Sequence, residues 1–266
     1  MGEKDTGRNL LAWGKALDEV GGSRRDLGYL KESRLTSWDR IEELGLPSHT
    51  RTVLPLEVFL RNPASLGKGE KEGELFVLLE PRHEDGKRYR KLGLKKSEVV
   101  GYLNQVISDN NLKVEDYDLA ISETLLQAYG GNIVVSSDGG VVVELSGGGQ
   151  GFVADGSHDP NKHGDMMRVW RDPLLGSFKY SWPLKGDKES EEYKEAESLR
   201  KAVYQTVLHL PHEGEGRDIK FAPGYYEFHL VDKNGQGKLQ PLFIDAKPLD
   251  VQISDEEWSE LRNKVR

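Results

Sequence analysis

At 266 residues the chain is long enough for one large domain or two lobes with a sizeable core. Charged residues make up 31% and the formal net charge is −8, a balance that opposes non-specific binding to polyanions while leaving room for a local basic groove. The absence of cysteine excludes disulfides and thiolate metal sites and fits a reducing compartment.

No apolar run approaches the length that spans a bilayer. The opening MGEKDTGRNLLAWGKAL lacks an apolar core followed by a small-residue cleavage site, and its Gly2 and Thr6 match a myristoylation pattern only loosely. The expectation is a cytoplasmic protein with no membrane partner.

In chain order, Leu10, Leu11, Trp13, Leu17 and Val20 stand at near-helical spacing in a charged N-terminal segment over 1–36. SWDRIEELGLP then predicts a helix starting at Ser37, closed by Gly45 and stopped by Pro47. RTVLPLEVFL (51–60) reads as a short strand entering a short helix, and LGKGEKEGE (66–74) as a charged loop. ELFVLLEP (74–81) and the arm around KRYRK (87–91) read as a hairpin turning at Asp85-Gly86. SEVVGYLNQVI (97–107) predicts a helix capped by Ser97, and DYDLAISETL (116–125) a strand.

NIVV and VVVEL form a second hairpin about Ser137-Asp138-Gly139-Gly140, followed by Gly147, Gly148, Gly149 and Gly151. Residues 188–209 predict a helix with Leu199, Val203, Tyr204 and Val207 as its apolar stripe, and with Glu195 and Glu197 placed to pair with Arg200 and Lys201. GYYEFHLVDKNGQGKLQPLFIDAKP (224–248) is strand, loop at Asn234-Gly235, and strand. A short C-terminal helix follows, with Ser254 and Glu257 as a capping box. The pattern is α+β, with antiparallel hairpins carrying the sheet.

Three acids stand among apolar residues on these strands: Glu144 in VVVEL, Glu227 in YYEFHL and Asp245 in LFIDAK. A charge in an apolar strand costs several kcal/mol unless it is paired or coordinated, and carboxylate oxygens suit divalent metals. The alternative is the solvated face of a half-buried sheet, where alternation would also place them. Asp245 and Lys247, two apart on one strand, point to the same face, either as a surface ion pair or as part of a site.

The segment YYEFHLVDKNGQGKLQPLFIDAKP resembles the end of the ATP-grasp nucleotide-binding domain of phosphoenolpyruvate synthase and pyruvate phosphate dikinase. That family ends on an acid-bearing strand, a glycine turn, and an apolar strand carrying Gln-x-Arg-Pro. Glu227 matches its acid, Asp245 its Gln, and Lys247-Pro248 its Arg-Pro. The hairpin from 129 to 156 resembles the family's glycine-led hairpin and sets Glu144 on a family acid, and IEELGLPSHTRTVLP resembles the opening of ATP-grasp proteins.

The resemblance covers well under half the chain. It departs from the family where Asp replaces Gln, where Lys replaces Arg, and where the Arg-Ser-Ser segment is missing. It implies a two-lobed ATP-grasp-like fold with antiparallel sheets and flanking helices, the first lobe over 37–128 and the second over 129–266. It further implies Mg²⁺ and ATP as cofactors, an acceptor substrate of unknown identity, and phosphoryl transfer or ligation, or a relative that has lost the chemistry. In that setting Glu227 and Asp245 would hold the metal, Asp245 and Lys247 would be catalytic, and Glu144, Lys91 and Arg90 would meet the nucleotide.

Two other readings compete. Glu227, Asp245 and Lys247, with an upstream helical Glu, also fit a Mg²⁺-dependent nuclease core, the one reading that would bring nucleic acid as a partner. A non-enzymatic interaction protein would carry the same acids exposed and unpaired. KRYRK fits a solvated edge strand as well as a phosphate contact. SHDPNKHGD offers His158, His163, Asp159 and Asp165 as a weak metal set, and His209 and His212 suit a helix C-terminus. Trp170, Phe178, Tyr180 and Trp182 read as loop packing or a stacking platform.

Overall fold

The computed structural model describes residues 33–63, 73–83, 86–124, 127–135, 139–146, 166–171, 178–181, 187–215, 219–232 and 238–248. The N-terminal segment to 32, the His158–Asp165 loop, the turns at Asp85, at Ser137-Asp138 and at Asn234-Gly235, and the Ser254 capping box lie outside them. Among the described residues no helix is long and apolar enough to cross a membrane.

The structure is α+β with antiparallel sheets, as the alternation predicts. The helices are α1 (Arg34–Glu43), α2 (Leu56–Arg61), α3 (Val99–Asn110) and α4 (Glu191–Leu208). The strands are β1 (Arg51–Pro55), β2 (Leu75–Pro81), β3 (Tyr89–Leu94), β4 (Tyr117–Glu123), β5 (Gln127–Val135), β6 (Val141–Ser146), β7 (Met166–Arg171), β8 (Phe178–Ser181), β9 (His212–Glu213), β10 (Lys220–Phe221), β11 (Gly224–Val231) and β12 (Gln240–Pro248). The chain divides into two compact units. One contains Ser37–Ser48 and the described residues from 127 onward; the other contains 33–36 and 49–124.

The smaller unit is a four-stranded sheet in the order β1-β4-β2-β3, every pair antiparallel. Alternate residues of its central strands, Leu75, Val77, Leu79, Leu119 and Ile121, are buried with Leu56 and Phe59 of α2 and with Val99 and Leu103 of α3. That alternation is the period of two that a helix-covered sheet face requires. On the other parity of β2, Leu78 and Glu80 are buried too. Glu80 is only 2% exposed, accepts the Arg34 N–H at Oε1 (2.9 Å), and pairs with Arg88 Nε at 2.9 Å.

This contact moves the start of α1. Ser33 caps it, its Oγ accepting from the Leu35 N–H at 3.1 Å, and Ser37 stands inside the helix on a buried face with Trp38 and Ile41. Ser33 and Ser37 both have the chemistry of a cap. Glu80, which takes the helix's first N–H, is 46 residues away and invisible to a local pattern. The helix ends as predicted. Gly45 adopts φ +65°, its N–H bonds Glu42 O, and the Leu46 N–H bonds Ile41 O, the paired closure that a left-handed glycine permits.

Ser97 is likewise not a cap. It lies in a 3₁₀ turn (Lys96–Glu98) ahead of α3, where the Lys95 N–H bonds Glu98 Oε2 at 2.9 Å. At its other end α3 closes on Asn111, which holds φ 51° and ψ 45°. Asn111→Ala will lower stability by about 1 kcal/mol, because a Cβ crowds the carbonyl there and Ala lacks asparagine's local compensation. Asn111→Gly will be neutral or stabilising; urea unfolding of both variants checks the pair.

The larger unit is built on a six-stranded sheet in the order β12-β11-β5-β6-β7-β8, all neighbours antiparallel. β11 lies between β12 and β5 and is buried along nearly its whole length, which explains why GYYEFHLV is an almost unbroken apolar run. Helix α4, capped by Ser190 Oγ accepting from the Tyr193 N–H at 3.2 Å, packs against β12 and buries Val203 and Val207. Glu197 pairs with Lys201 at 3.4 Å and lies 3.7 Å from Arg200. His209 follows the helix as its C-terminal cap, and His212 stacks on Phe221 at 4.7 Å.

Candidate functional site

β12 is the edge of the larger sheet, and an edge strand presents unpaired N–H and C=O groups that must be covered. Here α1 and the turn after it cover them. The Ala246 N–H donates to Ser37 Oγ at 2.8 Å. The Trp38 indole N–H donates to Ile244 O at 3.0 Å, and Arg40 Nη1 to Ala246 O at 2.6 Å. The Phe243 N–H bonds Pro47 O at 2.7 Å. The helix predicted from IEELGLP thus lies along the strand that carries FIDAKP.

Within the sheet, Glu227 of β11 stands directly opposite Asp245 of β12 on one side and Asn132 of β5 on the other. Asn132 is in turn opposite Glu144 of β6. The three acids singled out from the sequence therefore occupy one row across four neighbouring strands. The register also puts Tyr225 opposite Lys247, one step along the same side of the sheet.

The next step of the β11–β12 ladder is irregular. Glu227 pairs with Asp245, yet Phe228 pairs with Phe243, so Ile244 is an extra residue. A bulge of this kind reverses the alternation on its strand. Phe243, Asp245 and Lys247 share a parity in the sequence, and strict alternation would put all three on one face. The bulge sends Phe243 to the apolar face, where its ring meets Tyr226 edge-on at 6.2 Å and Phe228 at 6.4 Å. Burial on that face pushes the Tyr226 hydroxyl up to about 12, against the opposing influence of the Arg40 guanidinium, so it is neutral at physiological pH. Asp245 and Lys247 keep the polar face.

On that polar face Glu227 and Asp245 are buried and partnered. Asp245 is 1% exposed and Glu227 7%. Ser37 Oγ donates to Asp245 Oδ1, and Lys247 Nζ lies 3.1 Å from Asp245 Oδ2. The Tyr225 hydroxyl donates to Glu227 Oε1 at 3.0 Å. Asn132 is buried beside them at 6% exposure. The solvated-face alternative for Glu227 and Asp245 does not hold. Asp245 and Lys247 form a buried ion pair, with Ser37 satisfying the second carboxylate oxygen.

Lys91 and Arg90 belong to the smaller unit, both exposed on its edge strand β3. Beside them Lys87 Nζ sits 5.3 Å over the Tyr89 ring, an arrangement that fits a solvated edge. The sequence marks Ser37 only as a helix start and does not mark Asn132 or Tyr225 as site residues. Asn132 carried a usable signal, being the one polar side chain at the head of NIVV, opposite an acid-bearing strand. Ser37 carried none, since its partner is 208 residues away.

Carboxylate and carboxamide oxygens are the donors that Mg²⁺ prefers. Among the described residues no group of three or more His, Cys, Asp or Glu side chains converges as an all-protein cage.

No family model matches the chain, and no curated protein matches it in sequence. Among solved structures it is similar to a D-alanine–D-alanine ligase from Helicobacter pylori, at 12% identity and a TM-score of 0.42, covering 99% of this chain and 69% of that one. It is similar to the Bacillus anthracis D-alanine–D-alanine ligase complexed with ATP, at 12% identity and a TM-score of 0.35, covering 91% of this chain. It is also similar to an L-amino acid ligase from Bacillus licheniformis, at 12% identity and a TM-score of 0.40, covering 88% of this chain. The chain spans less than two thirds of the last two proteins, 64% and 47% of their lengths.

Proposed function

We propose that this chain is an ATP-grasp-like protein that binds Mg²⁺–ATP over the polar face of its six-stranded sheet and directs it to phosphoryl transfer or ligation of an acceptor. The single observation that carries this reading is the register of β11 and β12, which sets buried Glu227 opposite buried Asp245 with Lys247 against the latter. The order of the sequence motifs supports the phosphoenolpyruvate synthase type within that class. Glu227 and Asp245 would hold the metal, which when bound would neutralise charge on the phosphates. Lys247 supplies a cation on the same face, Ser37 holds the Asp245 carboxylate in one orientation, and Tyr225 does the same for Glu227. Glu144, in the same row, is a proposed nucleotide contact; Lys91 and Arg90 are proposed as phosphate contacts of the smaller unit taken by itself.

The nuclease reading uses the same trio but needs a basic groove, which the net charge of −8 opposes. The interaction-protein reading requires exposed acids, and Glu227 and Asp245 are buried. Thermal unfolding with and without Mg²⁺–ATP tests the proposal. A ligand that binds only the native state stabilises it by RT ln(1 + [L]/Kd), about 2.7 kcal/mol at 100 times Kd. Stabilisation by Mg²⁺–ATP beyond that by Mg²⁺ alone is the expected result. Stabilisation by Mg²⁺ alone, unchanged by ATP, would favour the nuclease.

A further inference from the structure

A buried carboxylate is tolerated when its charge is compensated, and a chain can supply the compensating cation itself. Asp245, at 1% exposure, has Lys247 Nζ 3.1 Å from Oδ2 and the Ser37 hydroxyl on Oδ1. Oδ1 thus takes a hydrogen bond from Ser37, while Oδ2 faces the Lys247 ammonium as an ion pair without a hydrogen bond of its own among the described residues. The Lys247 side chain is itself only 10% exposed, so this ammonium is not a solvated charge that happens to pass nearby. The bulge at Ile244 sits next to the pair and sets Asp245 and Lys247 on the face away from Phe243.

We propose that Lys247 is a built-in counter-ion that competes with a divalent cation for Asp245, holding the carboxylate in the ligand-free protein and turning to the phosphate when a metal-bound nucleotide takes its place. The proposal rests on the nucleotide reading above and adds to it a role for one residue in two states. An ammonium and a divalent cation a few ångströms apart in a partly desolvated site repel each other strongly, so both cannot sit on one carboxylate without cost. The same ammonium is a natural partner for a phosphate oxygen once it is released.

The consequence is a pair of effects of opposite sign from one substitution. Lys247→Met will bind Mn²⁺ more tightly in the absence of nucleotide, by roughly tenfold or more, because the competing charge is gone. The same variant will bind Mg²⁺–ATP more weakly, also by roughly tenfold, because a phosphate contact is gone. Lys247→Arg, which keeps the charge, will return Mn²⁺ affinity towards the wild-type value. Free Mn²⁺ followed by electron paramagnetic resonance reads the first arm, and calorimetry with Mg²⁺–ATP reads the second. Lys247→Gln, which keeps a donor for Asp245 without the charge, replaces the Met variant if that one does not fold.

Mn²⁺ binding by a folded, uncharged variant that is no tighter than wild type overturns the proposal. So does the absence of Mn²⁺ binding in every protein. Tighter Mn²⁺ binding with no ATP binding in any protein would leave Lys247 and the metal as competitors, overturning the phosphate half of the proposal and the nucleotide reading with it.

Discussion

Asp245→Ala will lower the free energy of unfolding by about 3–5 kcal/mol, the range for breaking a buried ion pair by removing one partner. The substitution removes the carboxylate 3.1 Å from the Lys247 ammonium, whose side chain is only 10% exposed, and it takes from the Ser37 hydroxyl its acceptor on that carboxylate. Ser37 also accepts from the Ala246 N–H, so the disturbance reaches the contact between α1 and the edge of β12. Urea unfolding measures the loss. The control is the double replacement Asp245→Leu with Lys247→Met, which removes both charges and will recover most of the lost stability, since an apolar pair of similar size is often no worse than a buried ion pair.

Recovery of stability without recovery of the Mg²⁺–ATP response would separate the two roles of Asp245. A double variant as unstable as Asp245→Ala would show that packing rather than charge sets the cost. Asp245→Asn offers a milder version, keeping the shape and an acceptor for Ser37 while removing the anion. It will lose the nucleotide-dependent stabilisation while remaining folded.

The second large effect belongs to the smaller unit. Glu80→Ala will cost about 2–3 kcal/mol, because Glu80 is buried and its removal takes a charged acceptor from the first N–H of α1 and from the Arg88 guanidinium. The figure is set below that for Asp245 because the Arg88 side chain is 41% exposed and water replaces part of what it loses. Glu80→Gln will recover part of the loss by offering a neutral oxygen to the same N–H. A Gln variant no more stable than Ala would show that the negative charge at the helix N-terminus is the main contribution. Equilibrium unfolding of both variants decides between these.

Much of the architecture follows from short-range chemistry and was legible without the fold. Gly45 closes α1 because glycine adopts a positive φ freely, and that preference belongs to the residue. The hairpin formed by β11 and β12 follows from two apolar runs separated by turn residues, and the α+β class follows from the mixture of periods along the chain. The conflict inside YYEFHL and LFIDAK, an acid among apolar residues, was visible for the same reason: a buried charge must be explained wherever it sits.

What only the tertiary structure decided is which distant groups resolve that conflict. Local pattern set the start of α1 at Ser37, whereas the helix begins earlier because Glu80, on β2, takes its first N–H. Ser37 is instead spent on Asp245, 208 residues away. Strict alternation would have put Phe243 beside Asp245 and Lys247, and only the extra residue at Ile244 separates the aromatic face from the charged one. The row Glu144, Asn132, Glu227, Asp245 depends on strand register, which a sequence with four separate apolar runs does not specify. Propensity and periodicity act over a few residues. Compensation of a buried charge acts over a few ångströms, and the chain must fold before those two scales coincide.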